Sequence, residues 1–161
     1  GHLESLPQKH IDTGMGLERL VAIIQNKKSN YDTDIFQPII QSVADLYHVE
    51  YGEDENTDIA LRVIADHFSA VSFAIADGQL PSNNGAGYVI RRILRRAIRY
   101  AYQFLGANEA FIYSLTSILV EQFQDVFPEI KKQEDFIKNV IHEEEKSFLK
   151  THETGIKLFE E

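Results

Sequence analysis

A chain of 161 residues, 43% hydrophobic and 25% charged, is long enough for one domain with a real core, or for one domain and the remnant of another. The absence of cysteine excludes disulfides, thiolate chemistry and cysteine-based zinc sites. No apolar run approaches the ~20 residues that span a bilayer, no signal-peptide pattern opens the chain, and a net charge of −9 argues against indiscriminate nucleic-acid binding; a cytoplasmic compartment and no membrane partner are expected.

Taken in order, Leu6 to Gly16 reads as a short strand followed by a glycine-interrupted turn, clipped from a larger α/β unit. Leu17, Leu20, Val21 and Ile24 then recur at helical spacing. Lys27 to Thr33 is a polar break in which Asn30 or Asp32 can cap the next helix. That helix carries Ile35, Phe36, Ile39, Ile40, Val43, Leu46 and Tyr47, with Pro38 tolerated only in its first turn. A third amphipathic helix spans Thr57 to Ala76 and ends at Asp77-Gly78. Pro81 to Gly87 has loop composition, and the next helix stops at Leu105-Gly106. Phe111 to Phe127 is the most apolar segment, ending near Pro128. Gln133 to Glu161 is a charged helix with an interruption expected near Gly155. The expectation is an all-α bundle of about six helices behind a clipped strand and turn.

The fourth helix is the anomaly. Residues 78–108 contain Arg91, Arg92, Arg95, Arg96 and Arg99 and no acidic residue, so the rest of the chain sums to −14 (−9 minus +5). At 100° per residue those arginines occupy an arc of about 140°. Val89, Ile90, Ile93, Leu94, Ala97, Ile98 and Ala101 are assigned to the opposite, buried side. Guanidinium forks match phosphate and carboxylate bidentately, so two readings stay open: a phosphate-tracking face, or ion pairs with the acidic surplus. Glu143-Glu144-Glu145 reads first as a solvated face and second as a partner for these arginines.

Other candidates carry less. Gly14 and Gly16 would let backbone approach a flat ligand or phosphate, and Arg19 in the first helical turn could clamp a phosphate, although tight turns use the same glycines for steric reasons. His67 beside Asp66 has no nucleophile paired with it and reads as structural. None of the six histidines has metal-site spacing, so no metal is assigned.

Read together, Asp12-Thr13-Gly14-Met15-Gly16-Leu17-Glu18-Arg19-Leu20 resembles motif 3 of the class II aminoacyl-tRNA synthetases in the alanyl-tRNA synthetase family. Ser29 to Phe36, Leu61 to His67, Ala76 to Gly78, Leu80 to Asn83, Gly87 to Ala97, Phe127 to Ile130 and Glu143 to Phe148 resemble the same family in the same order. The resemblance covers residues 3 to 161, essentially the whole chain.

It implies that residues 1–28 end a class II catalytic domain and that residues 29–161 form a helical domain recognising the tRNA acceptor stem. The family joins alanine to its tRNA with ATP and Mg2+. By match, Arg19 is the catalytic arginine at the ATP γ-phosphate, and Asp12, Gly14 and Gly16 form the nucleotide-binding turn. The family reads a G·U wobble pair through an Asn and an acidic side chain. Asn30 matches the first; Asp125 and Glu129 are both candidates for the second. With Arg91, Arg92, Arg95, Arg96 and Arg99, these make the candidate nucleic-acid contacts. Ser69 and Ala86 stand where the family commonly has Arg, which removes two potential phosphate contacts. Motifs 1 and 2, the editing domain and the family's zinc ligands lie outside this chain, so ATP, Mg2+ and alanine are expected for the parent enzyme and no activity or bound cofactor for the fragment. The alternative from another class is a helical protein-interaction module docking an acidic partner through its arginine face.

Overall fold

The computed structural model describes residue 8 and residues 14–160, with side chains through Thr151. The expected strand at Leu6–Thr13, Asp12 of the nucleotide turn, and His152 lie outside the residues or side chains so described. Among the described residues there is no strand, and the architecture is all-α. Its helices are α1 (Leu17–Ile24), α2 (Gln37–Tyr47), α3 (Glu55–Ala76), α4 (Gly85–Leu105), α5 (Thr116–Phe123), α6 (Pro128–Lys132) and α7 (Glu134–Glu160), with single 3-10 turns at Asn30–Asp32 and Ile112–Leu115.

α3 is the central element. Asp54 caps it, accepting from the Thr57 N–H at 2.8 Å, and Gly78 at φ +84° follows its end. By length and composition α3 could cross a membrane, against the sequence reading that no such run exists. Its role in the protein is different: Leu61, Ile64, Ala65, Phe68, Val71 and Ile75 are fully or almost fully buried against α2, α4 and the C-terminal helices. At about 25 cal/mol per Å² of apolar surface removed from water, such a helix is held by the core it forms. α3 and α4 make the most extensive helix contact in the chain.

Several boundaries differ from expectation for physical reasons. α4 begins at Gly85, so Gly85-Ala86-Gly87 is helical; Gly85 sits at φ +57°, and Gly87 packs directly beneath Leu80 O and Ser82 Oγ. A side chain at 87 would collide with that loop. Val89, assigned to the buried side, is 54% exposed. The apolar stretch from Phe111 divides into the 112–115 turn and α5. α5 ends at Phe123, before a turn, and Pro128 starts a further helix, because proline suits a first turn; this adds α6. α7 continues through Gly155 without a break. Ser29, and neither Asn30 nor Asp32, caps the turn that follows: its hydroxyl accepts from the Tyr31 N–H at 3.3 Å. α2 begins from Phe36 without any side-chain cap.

The acidic triplet on α7 overturns its first reading at two of three positions. Glu143 is exposed. Glu144 turns toward α4, and Glu145 is 1% exposed, with its two oxygens accepting from the backbone N–H groups of Phe111, Ile112 and Tyr113 at 3.1, 2.8 and 2.9 Å. A buried carboxylate here satisfies the donors that open the 112–115 turn. Desolvation nevertheless outweighs those three bonds and pushes its pKa up to about 7.

Candidate nucleic-acid interface

The five arginines of α4 do not behave alike, and helix geometry explains why. With Arg91 at 0° on the wheel, Arg95 lies at about 40°, and Arg99, Arg92 and Arg96 at about 80°, 100° and 140°. The buried positions Ala97, Ala101, Leu94 and Ile98 occupy about 240° to 340°, so Arg91 and Arg95 border the core where α7 packs. There Arg91 Nε donates to Glu144 Oε2 at 2.9 Å, and Arg95 Nε stands 3.5 Å from the same oxygen. Arg91 also donates to Asn83 Oδ1 on the loop before α4. The Arg95 guanidinium lies 5.7 Å from the centre of the Phe148 ring, and its Nε–H is buried without a hydrogen bond. Side-chain exposure is 21% for Arg91, 32% for Arg95 and 16% for Glu144.

Arg92, Arg96 and Arg99 are exposed and make no ion pair among the described residues. Arg96 and Arg99 flank the Tyr100 ring at 5.5 and 5.7 Å. All five, with Asn83, Tyr88 and Phe148, line a hollow of about 470 Å³. Tyr88 falls at about 60° on the same wheel, in the middle of the arginine arc, and is 51% exposed. Sequence reasoning passed over Tyr88; its place on the wheel was the available signal. Such a surface suits a phosphate backbone with a ring to stack against.

Asn30 opens the 3-10 turn, half-buried, and its side chain makes no hydrogen bond among the described residues. The turn itself is firmly held. Tyr31 packs on Phe36 with ring centres 5.3 Å apart, and Gln37 donates to Tyr31 O at 2.8 Å. Tyr51 donates to Asp32 Oδ1 at 3.2 Å, and Arg62 donates to Tyr51 Oη at 2.8 Å, which raises the arginine pKa. Gln122 on α5 donates to the backbone oxygens of Asp34 and Ile35 at 2.7 and 3.1 Å, tying α5 to the segment just after Asn30. Asp125 is exposed two residues past α5, and Glu129 is half-buried in the first turn of α6.

Arg19 stands apart from this hollow, exposed in the first turn of α1, where Gly16 provides the N-cap position without a side-chain cap. Gly14 and Gly16 are exposed, and neither needs a left-handed conformation. No group of three His, Asp or Glu side chains gathers as metal ligands among the described residues. The described residues by themselves therefore supply no ligand set for Mg2+. His67 Nδ1 meets Asp66 Oδ2 at 2.8 Å with 17% of its side chain exposed.

Comparison with known proteins agrees with the segment-by-segment likeness. The model of the family tRNA synthetases class II (A) matches residues 1–161. The chain belongs to that family. Alanine–tRNA ligase of Cytophaga hutchinsonii is 61% identical over 161 residues, all of this chain and 18% of the relative. The Bacteroides fragilis alanine–tRNA ligase is 58% identical over 158 residues, 98% of this chain and 18% of the relative. That of Flavobacterium psychrophilum is 55% identical over 169 residues, 99% of this chain and 19% of the relative. The chain thus spans less than a fifth of the length of the curated relatives it matches.

Proposed function

We propose that this chain is the acceptor-stem-recognising segment of an alanine–tRNA ligase, an enzyme attaching alanine to tRNA(Ala) with ATP and Mg2+. The observation that carries the reading is the exposed trio Arg92, Arg96 and Arg99 beside Tyr88, a local cationic surface in a chain of net charge −9. Arginine on one helical face can follow phosphates in register, while the acidic remainder holds off unrelated polyanions. Asn30, on its braced turn, offers an amide donor and acceptor that a shallow RNA minor groove can meet. Asp125 or Glu129 would supply the acidic partner.

Residues 1–28 would complete the catalytic unit, with Arg19 at the ATP γ-phosphate and Asp12, Gly14 and Gly16 in the nucleotide turn; residues 29–161 would be the recognition domain. The apolar side of α1 supports that division: Leu17, Leu20, Ile23 and Ile24 are exposed, which is a costly surface for a helix with nothing to cover it. Gln25 and Asp34 join the two parts, the Gln25 amide donating at 2.6 Å and its oxygen accepting from the Asp34 N–H at 3.3 Å.

The test is the salt dependence of binding to an RNA hairpin carrying the tRNA(Ala) acceptor stem. Each phosphate contact contributes about −0.7 to −0.9 to the slope of log K against log salt. Replacing Arg92 and Arg96 together with Ala should weaken binding and flatten that slope by roughly one to two units. An unchanged slope with an intact circular dichroism spectrum overturns the reading. Salt-sensitive retention of an acidic protein in place of the hairpin would favour the protein-interaction module.

A further inference from the structure

The arginine face contains its own competing anion. Glu144 takes Arg91 at 2.9 Å and approaches Arg95 at 3.5 Å, while Asn83 occupies a second Arg91 nitrogen and Phe148 lies under Arg95. Its side chain is 16% exposed and, with Leu80, Pro81, Phe136, Asn139, Val140 and Glu143, lines a second hollow of about 370 Å³. A phosphate approaching Arg91 or Arg95 would have to displace this carboxylate or share guanidinium groups with it, at the cost of two anions in one site. Arg92, Arg96 and Arg99 face no such rival among the described residues.

Resting on the RNA-binding reading above, we propose that Glu144 withholds Arg91 and Arg95 from RNA phosphates, limiting the phosphate footprint of α4 to three arginines. Phosphate contacts raise affinity for every RNA equally and carry no sequence information. A helix that engaged all five would add a larger, strongly salt-dependent contribution to its affinity for any RNA. Glu144 keeps that contribution small, while Arg91 and Arg95, gathered on its carboxylate, fasten α4 to α7.

The experiment measures binding of the full chain to the tRNA(Ala) acceptor-stem hairpin and to a hairpin of unrelated sequence, each over a salt series. Glu144→Gln keeps the shape of the side chain and removes its charge. The expected result is a slope steeper by about one to two units, from up to two more phosphates engaged, with tighter binding to both hairpins and an unchanged ratio between them. A folded Glu144→Gln chain with unchanged slopes overturns the proposal. Should that variant fail to fold, Arg95→Gln and Arg96→Gln decide it. The proposal requires Arg96→Gln to flatten the slope by about 0.7 to 0.9 and Arg95→Gln to leave it unchanged; equal flattening by both overturns it. Failure of the underlying reading looks different, because then neither Arg96→Gln nor the Arg92/Arg96 double variant alters the slope.

Discussion

Glu145 offers the sharpest thermodynamic test of the fold. It is buried, and its pKa is pushed up to about 7 by desolvation, from an ordinary 4.5. A carboxyl group whose pKa is raised by folding stabilises the protein fully below its unfolded value and loses that contribution as pH rises through the folded value. The window is therefore pH 4.5 to 7. With those two values, linkage gives a loss of about 2–3 kcal/mol between pH 5 and pH 8 from this group alone. Glu134 acts in a different window: hydrogen bonds from Lys131 and Lys138 lower its pKa to about 2, so its contribution is present above 4.5 and falls away in stronger acid. Glu145→Gln retains one acceptor oxygen for Phe111 and Ile112 and loses the acceptor for Tyr113, a cost of about 1–3 kcal/mol. In return it holds no charge in the core at pH 8. Urea denaturation of both proteins at pH 5 and pH 8 should show the variant weaker at pH 5 and close to the parent at pH 8. An identical pH 5 to 8 difference in the two proteins would refute the reasoning, because the titrating group would then lie elsewhere.

Glu145→Ala should be far worse at both pH values, since the buried Phe111 and Ile112 N–H groups lose their acceptor at about 1–3 kcal/mol each, and a drop in melting temperature of only a degree or two would contradict it. Gly87→Ala should cost about 1–3 kcal/mol, because a methyl group there forces Leu80 O and Ser82 Oγ away from α4; scanning calorimetry reads the loss. Asn30→Ala should leave stability within about 0.5 kcal/mol, since Ser29 provides the cap, yet shrink the affinity ratio between a wobble-paired and a Watson–Crick-paired acceptor stem; an unchanged ratio assigns recognition to other residues.

The helices were largely legible because their apolar spacing follows 3.6 residues per turn, and the arginine arc on α4 was legible from the same periodicity. What could not be read was the sorting of that arc into engaged and open halves. The pairing of Arg91 with Glu144 joins positions 53 residues apart, and nothing local in either segment announces it. Glu145 was hidden for a related reason: three successive acids on a charged helix look solvated until the turn at 111–113 arrives against them. The helical start at Gly85 escaped notice because two glycines read as loop, although the close approach of Ser82 to Gly87 is what demands one of them. Asn30 and Asp32 suit a cap for α2 by residue type, yet α2 starts from Phe36 without one, and Ser29 caps the intervening turn.

The two acids of α7 are coupled through the helix that carries them. Successive residues are rotated by about 100°, so Glu143, Glu144 and Glu145 meet solvent, the arginines of α4 and the 111–113 backbone in turn. Three N–H groups grip Glu145, and that grip sets the rotation of α7 about its own axis. The same rotation aims Glu144 at Arg91 and places Phe148, one turn further on, beneath Arg95. A small turn of the helix would move Glu144 out of reach, because a 2.9 Å contact does not survive a displacement of an ångström or more. The buried carboxylate that costs stability above pH 7 is thus also the one that, through α7, holds Glu144 against Arg91 and Arg95. Glu145→Gln, which keeps two of the three bonds, should leave the salt slope of RNA binding near that of the parent chain. Glu145→Ala, if enough of it folds, should shift that slope toward the value for Glu144→Gln.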